Sequence, residues 1–332
     1  MAPVSPLPRR HGLDAVRLRT PDEGPWATMR DHLVARLPRV PPERVDAMLR
    51  DGVIVGRHGP VDPRAPFVPR EFLWLHRELP DEAPVPFALD VLHRDDEVVV
   101  VDKPHFLATI PRGRHVVETV LVRLRRHLGL PELSPAHRLD RVTAGVLLLV
   151  VNRAHRGAYQ ELFARRRVHK TYEAVARHDP GLALPRTVES RIVKERGVIL
   201  AREVPGPPNA RTHVALLEHR DGRARYRLTP TTGRTHQLRL HLRGLGVPIL
   251  GDRFYGTRRD GSGDDGSGDA EPQDTALDDW TRPLQLLAQT LEFTDPLTGA
   301  ARRFTSRRTL QAFDDPDGWA AGPAPGTPGV TW

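Results

Sequence analysis

Residues 135–151 read PAHRLDRVTAGVLLLVV. The run Val146–Val151 is uninterrupted by polar residues and too short for a helix core, so it predicts a strand buried on both faces. Just before it, Asp140 stands near Arg138 and Arg141 in a loop at the mouth of that strand, where a rigid element presents charged side chains. Upstream, Val98–Val101 is a second compact strand, ending in Asp102-Lys103-Pro104 with proline as terminator. Between the two, Val117, Val120, Leu121, Leu124 and Leu128 fall at helical spacing, with Gly129 as the stop.

Downstream, a helix over 153–165 places Tyr159, Leu162 and Phe163 inward and leads to a strand over 170–176, in which Tyr172 shares a face with the small residues Ala174 and Ala176. Thr212–Glu218 and Ala224–Leu228 read as further strands, as do Leu284–Phe293 and Arg302–Thr305 across a turn at Asp295–Gly299. The segment Thr235–Leu242 alternates well enough for a strand, yet Thr235 as N-cap, leucines at 238, 242 and 245, and Gly246 beyond favour a helix.

Towards the N-terminus, residues 1–24 carry no apolar period and are expected to form a flexible arm. Two short helices, one from Trp26 to Leu37 and one from Pro42 to Gly52, then the strand-like stretches Val53–Val55 and Phe72–Leu75, make a small α/β domain over 25–85, with Arg36, Arg39, Arg44 and Arg50 along one side. Prolines and acids at 80–86 mark the boundary to a larger domain over 86–313. Inside it, residues 257–279 are Gly/Ser/Asp-rich and predict a disordered insertion, and 314–332 a flexible tail.

At 332 residues the chain is long enough for about two domains with real cores. Its formal charge is +8, and of its 50 basic residues only Lys103, Lys170 and Lys194 are lysines. Arginine forks suit phosphate and base edges, although genome base composition explains an arginine- and proline-rich chain equally well. The absence of cysteine excludes disulfides, zinc ribbons and iron–sulfur clusters. No apolar run approaches about 18 residues and no signal-peptide pattern opens the chain, so a cytoplasmic protein without membrane contact is expected.

Three chemistries compete for the charged residues. A metal site from His137, Asp140, His236 and His241 fails on spacing, since His236 and His241 are five apart and share neither a strand face nor an i, i+4 helix face; no metal is expected. Thr232-Gly233-Arg234 lacks the length and the Lys-Ser/Thr ending of a phosphate-binding loop. What remains is one carboxylate, Asp140, with Arg239 or Arg234 as charge partner and Tyr172 as an aromatic platform. A neighbouring guanidinium would keep the acid ionised and oriented, and a phenol both stacks on a base and shuttles a proton. By chemistry alone the set still favours a structural Arg–Asp pair and a core tyrosine.

The order of motifs shifts that balance. His137-Arg138-Leu139-Asp140 with Thr143 and Gly145, then Lys170-Thr171-Tyr172, then Thr232–Arg239, then Pro248-Ile249-Leu250-Gly251-Asp252 together resemble the RluA-type pseudouridine synthases over roughly residues 90–312. The resemblance implies an α+β fold with a mixed, mainly antiparallel central sheet flanked by helices, and isomerisation of uridine in ribosomal or transfer RNA without a cofactor. It implies Asp140 as the essential aspartate, Tyr172 as the base-stacking tyrosine and Arg239 as the aspartate's salt-bridge partner. Arg138 would fill the space left by the flipped base, and His137, Arg141, Thr143, Lys170, Arg234, His236 and Gln237 complete the RNA-binding set. Asp140 would act either as nucleophile at the anomeric carbon or as base beside it. A monomer is expected; the alternative is a non-catalytic RNA-binding or ribosome-assembly factor that keeps the fold. The chain departs from the family at Ala144, where serine is usual, at Phe106 for glycine and at Leu287 for histidine. The 26–77 unit is faintly similar to the ribosomal-protein-type RNA-binding domain often fused to these enzymes.

Overall fold

In the first of two units, Met1–Asp81, strand β1 (Val16–Arg19) is followed by helices α1 (Met29–Arg36) and α2 (Pro42–Arg50) and strands β2 (Val55–Gly56), β3 (Gly59–Pro60) and β4 (Phe72–Leu75). Thr28 starts α1 with a reciprocal capping box to Asp31, and Pro42 sits in the first turn of α2, where its missing N–H is harmless. The sheet runs β1-β4-β2-β3, and its inner face, Leu18, Leu73 and Leu75, packs on Leu33, Val45 and Leu49 of the helices. The expected arm over 1–24 is thus corrected. Val16–Arg19 alternates outward arginines with inward Leu18 and pairs antiparallel with β4, a four-residue signal too short to register in an Arg/Pro-rich context.

The computed structural model describes residues 3–38, 40–76, 78–79, 81–195, 197–256, 280–321 and 329–331. The insertion expected at 257–279 lies outside the described residues.

The second unit, Glu82–Trp332, contains β5 (Ala88–Arg94), β6 (Val98–Lys103), α3 (Val120–Leu128), β7 (Ser134–Pro135), β8 (Ala144–Val150), α4 (Arg156–Ala164) and β9 (Val168–Arg177). These are followed by β10 (Arg186–Val193), β11 (Arg202–Val204), β12 (Ala210–Arg220), β13 (Arg223–Pro230), α5 (Gln237–Gly244), β14 (Leu286–Thr294), β15 (Ala301–Thr305), α6 (Gln311–Asp314), α7 (Pro316–Ala321) and β16 (Gly329–Thr331). The strands form one sheet in the order β11-β10-β12-β13-β9-β14-β8-β6-β5-β16, with β7 and β15 attached to β8 and β14. All pairings are antiparallel except β14 with β8 and β16 with β5, so the mixed, mainly antiparallel α+β fold is what the chain adopts. The run that closes the motif stretch is its buried centre: every residue of β8 is inaccessible, flanked by β6 and β14.

Two details fix the ground beneath the charged loop. Gly145 has φ +111°, and a Cβ there would lie 2.3 Å from the Ala288 carbonyl oxygen, so only glycine lets β14 close on β8 in parallel register. At the end of β6, fully buried Asp102 accepts bonds from Ser306 Oγ at 2.8 Å and from the Arg307 N–H at 2.7 Å. Burial raises this carboxyl, and Arg308 and those donors only partly offset the effect.

Two expectations are corrected here. Past Asp314, where a tail is expected, Pro316–Ala321 is helical and Gly329–Thr331 adds a parallel edge strand to β5. Helix α5 starts at Gln237, not at a Thr235 cap: its N-cap is His236 in the left-handed region with φ 57°, and it makes no side-chain cap bond.

Candidate active site

Asp140 sits in the loop between β7 and β8, which is tied down on several sides. Thr109 Oγ donates to the Leu139 carbonyl at 2.9 Å and accepts the Leu139 N–H at 3.2 Å. Lys103, wholly buried at the end of β6, donates to the carbonyls of Pro104, Leu107 and Arg141 at 2.9, 2.9 and 3.0 Å. Burial, followed by the charge of Arg141, pushes that ammonium down, while Asp140 pushes it up. Three carbonyls match the three protons of the charged form, and a neutral amine would leave one of them facing a lone pair. His105, lowered to about 3 by burial, is neutral and donates through Nδ1 to the Val142 carbonyl at 2.8 Å. His137, also lowered to about 3 by burial and then by Lys170, accepts the Leu148 N–H at 3.2 Å and stacks on Phe163.

The Asp140 carboxylate itself has no hydrogen bond or ion pair among the described residues. It opens into a cleft of about 1710 Å³ lined by eleven lysines and arginines against two carboxylates, Asp140 and Glu292. Its charge is felt by the groups around it: it raises the Tyr172 phenol, on which burial acts first, and it supports the charged forms of His236 and Arg239. Tyr172 comes from β9, half-buried, with its ring bridging the cores on either side of the sheet centre.

The structural ion pair is present, but Asp140 is not in it. Arg239 makes a bidentate pair with Asp252, Nε to Oδ2 at 2.7 Å and Nη2 to Oδ1 at 2.6 Å, with both side chains at most 2% exposed. Oδ1 of Asp252 also accepts the N–H groups of Phe254 and Tyr255 at 2.9 and 3.0 Å. Burial alone would raise Asp252 and lower Arg239; their mutual bonding outweighs it, so the acid is lowered and the guanidinium raised. The expectation that Arg239 is the salt-bridge partner of Asp140 is therefore corrected. Its fork is committed to Asp252, and Asp140 acts on it only through space. The partner lies thirteen residues on, past the turn at Gly251, and nothing in the local spacing pairs the two.

Of the expected RNA contacts, Arg138 is exposed beside Asp140 without an ion pair among the described residues, and Arg234, also exposed, donates to the Asn209 carbonyl at 3.2 Å. Lys170 lines the same cleft, lowered by burial. Arg141 points back to the Phe106 carbonyl at 3.4 Å. Thr143 and Gln237 are corrected: both are about 3% exposed. Gln237 spends its amide on the Arg211 carbonyl and Thr212, and its oxygen on Thr232 and the Arg234 N–H, so its polar atoms are engaged in shaping the loop. His137 is likewise a loop anchor. His236 faces the site with a defined tautomer: Tyr255 gives its proton to the Ala201 carbonyl at 2.8 Å, so His236 Nδ1 donates to the Tyr255 oxygen at 2.8 Å and Nε2 keeps the lone pair.

Sequence reading missed Lys103, Thr109 and His105 as anchors, Asp252 and Tyr255 behind the site, and the cleft arginines Arg166, Arg167, Arg302 and Arg303. The Arg165-Arg166-Arg167 run is visible as charge in the sequence; that Arg166 and Arg167 line the cleft of Asp140 is not. Among the described residues no group of three or more His, Asp or Glu side chains is arranged to hold a metal.

A parallel-containing sheet with a rigid loop, a lone acid and a basic cleft defines an enzyme that works on a polyanion. Residues 97–243 match the RNA pseudouridylate synthase family. A dual-specificity RNA pseudouridine synthase RluA from Pasteurella multocida is 32% identical over 216 residues, 63% of this chain and 89% of that protein. The one from Haemophilus influenzae is 30% identical over 227 residues, 66% and 93% respectively. Among solved structures, human RNA pseudouridylate synthase domain containing 1 superposes with a TM-score of 0.50 at 25% identity, covering 68% of this chain and 86% of that one. The chain belongs to the RluA-type RNA pseudouridine synthases, isomerases that convert uridine in RNA to pseudouridine.

Proposed function

We propose that the chain modifies specific uridines in ribosomal or transfer RNA in the cytoplasm, acting as a monomer, with Asp140 as the reacting group. The observation that carries this reading is an unpaired carboxylate on a tightly anchored loop inside a cleft otherwise lined by cations. A pure RNA binder gains nothing from an acid there, since it repels phosphate.

The roles follow from residue chemistry. Exchange of the uracil bond from nitrogen-1 to carbon-5 needs an ionised carboxylate against the sugar and a dry pocket that keeps the freed base. The target base is stacked in structured RNA and must be flipped out; Arg138, exposed and without a counter-ion among the described residues, takes its place in the stack. Tyr172 stacks on the uracil. Its phenol, raised by burial and by Asp140, stays protonated at rest, and the carbon-5 proton leaves to Tyr172 or Asp140, the two groups that face the base. Asp252 holds the Arg239 guanidinium in place beside the site, with its charge felt there through space.

Incubation with cellular RNA carrying tritium on uracil carbon-5 tests the reading. Release by the native protein and none by Asp140→Asn, with melting temperature and RNA affinity unchanged, is expected. Release by Asp140→Asn at the native rate would exclude Asp140 as the reacting group. A site-resolved pseudouridine map with and without the gene names the substrate.

A further inference from the structure

His236, the residue at which α5 begins, holds the left-handed backbone conformation that few side chains besides Asn, Asp and His adopt. Its ring is fixed from behind. Nδ1 donates to the Tyr255 oxygen at 2.8 Å, and that hydroxyl in turn donates to the Ala201 carbonyl at 2.8 Å and accepts the Ala201 N–H at 2.9 Å. Tyr255 is buried; Asp252 accepts its N–H at 3.0 Å, and the Arg239 guanidinium carbon lies 4.9 Å from its ring centre. The phenol has one proton to give and gives it to Ala201, so the imidazole proton stays on Nδ1. Nε2 is left with a lone pair on a ring that lines the cleft.

Among the described residues Nε2 has no hydrogen-bond partner. In a cleft lined by eleven lysines and arginines, it is a neutral acceptor, which neither repels nor binds phosphate and takes an N–H or O–H instead. Burial favours the neutral ring, Asp140 and Asp252 oppose it, and Arg239 and Lys194 add to burial. Of these charges that of Asp140 acts most strongly, which puts the lone pair and the reacting carboxylate at the same end of the cleft.

A target uridine brings two such donors, the uracil imide N–H and the ribose 2′-hydroxyl. The base has to turn when its bond to the sugar moves from nitrogen-1 to carbon-5. An acceptor locked by its backbone and by the Tyr255–Ala201 bonds cannot follow it. The ribose, tethered by a phosphodiester on each side, stays where it is, and it is the sugar that Asp140 must meet. We propose that His236 Nε2 accepts the 2′-hydroxyl of the target nucleotide, holding the ribose against Asp140 and making the site selective for ribose over deoxyribose. The inference rests on Asp140 being the reacting group.

The test uses the full chain carrying Asp140→Asn, so that nothing turns over, and fluorescein-labelled oligouridylates, whose bases need no flipping from a duplex. Three strands are compared: ribose, 2′-deoxyribose, and ribose with N3-methyluracil. The ratio of ribose to deoxyribose affinity, taken between variants, cancels contacts made elsewhere. In His236→Asn, which suits the left-handed backbone and keeps a donor for Tyr255, that ratio should fall about 2- to 10-fold, the range for one hydrogen bond, with the melting temperature unchanged. His236→Gln, whose amide oxygen reaches the place of Nε2, should keep most of the ratio. Tyr255→Phe leaves the imidazole but no longer fixes its proton on Nδ1, and should lower the ratio in the same direction. A native ratio in either His236→Asn or Tyr255→Phe would overturn the proposal. So would a change in His236→Asn confined to the N3-methyl strand, which would assign the lone pair to the base. Tritium release by the native chain reports separately on Asp140.

Discussion

Removing the guanidinium of Arg239 tests whether the buried pair serves stability, chemistry or both. Arg239→Met leaves Asp252 buried, with four hydrogen bonds reduced to two, from the Phe254 and Tyr255 N–H groups. Breaking one side of such a pair costs roughly 3–5 kcal/mol. For a unit of this size that lowers the melting temperature by about 6–20 °C, at roughly 2–4 °C per kcal/mol. Asp252→Asn strands the cation instead and should cost a similar amount. In the double variant both charges are gone and the asparagine oxygen still accepts the two N–H groups. Only one amide N–H₂ is then unsatisfied, and the loss should shrink to about 1–3 kcal/mol. The cycle therefore predicts a favourable coupling of about 3 kcal/mol or more. Activity should follow a different pattern. Measured by tritium release below every melting transition, Arg239→Met and the double variant should both lose about 10²–10³-fold, the scale for removing one preorganised charge beside a reacting group. Asp252→Asn should keep part of its activity. Native turnover in the double variant would refute the assignment and make Arg239 a packing residue.

Gly145→Ala should disrupt the β8–β14 register. The strained φ and the 2.3 Å approach to Ala288 each cost about 1–3 kcal/mol, so urea unfolding should show a loss of ~2–6 kcal/mol, and a loss below about 1 kcal/mol would contradict the close approach. His241, buried between Ser190 and Thr212, is lowered to about 4 by burial. Because its unfolded value is near 6.5, its contribution to stability is complete above about pH 6.5, falls as the pH drops towards about 4, and changes no further below that. The slope is at most about 1.4 kcal/mol per pH unit, and His241→Gln should flatten it in urea midpoints taken across that range; matching profiles would show that another group carries the dependence.

How much of this was legible in the chain depended on whether the signal was local. The strand of seven inaccessible residues after Asp140, the helix stopped by Gly129 at φ 64°, and the strand carrying Tyr172 all announce themselves within about ten residues, by periodicity or punctuation. The start of α5 misled because Thr235 has the right chemistry for a cap, while the loop is fixed from outside, by the Gln237 amide and the His236–Tyr255 bond. Asp140 was identifiable, but its missing partner was not, because whether a carboxylate is paired is decided by residues that approach from other strands. Lys103 and Thr109 look ordinary in sequence for the same reason, and Asp252, though it ends a motif, gives no sign there of the guanidinium it holds. Each matters through a carbonyl or a guanidinium that only the closed sheet brings near.

The clamp on Asp102 bears on the order in which the molecule assembles. The strand that ends in Lys103, the anchor of the catalytic loop, buries a carboxylate whose donors lie more than two hundred residues later, at Ser306 and Arg307. Contacts of such long range form late, after loop closure has been overcome across most of the chain. Until residue 308 is available, Asp102 favours water and the end of β6 has reason to stay open. The loop that presents Asp140 is then unfinished as well. The cleft's own lining runs to Arg302 and Arg303, so cleft and competent site are completed together by the last strands of the sheet, and neither tight RNA binding nor isomerisation should appear before them.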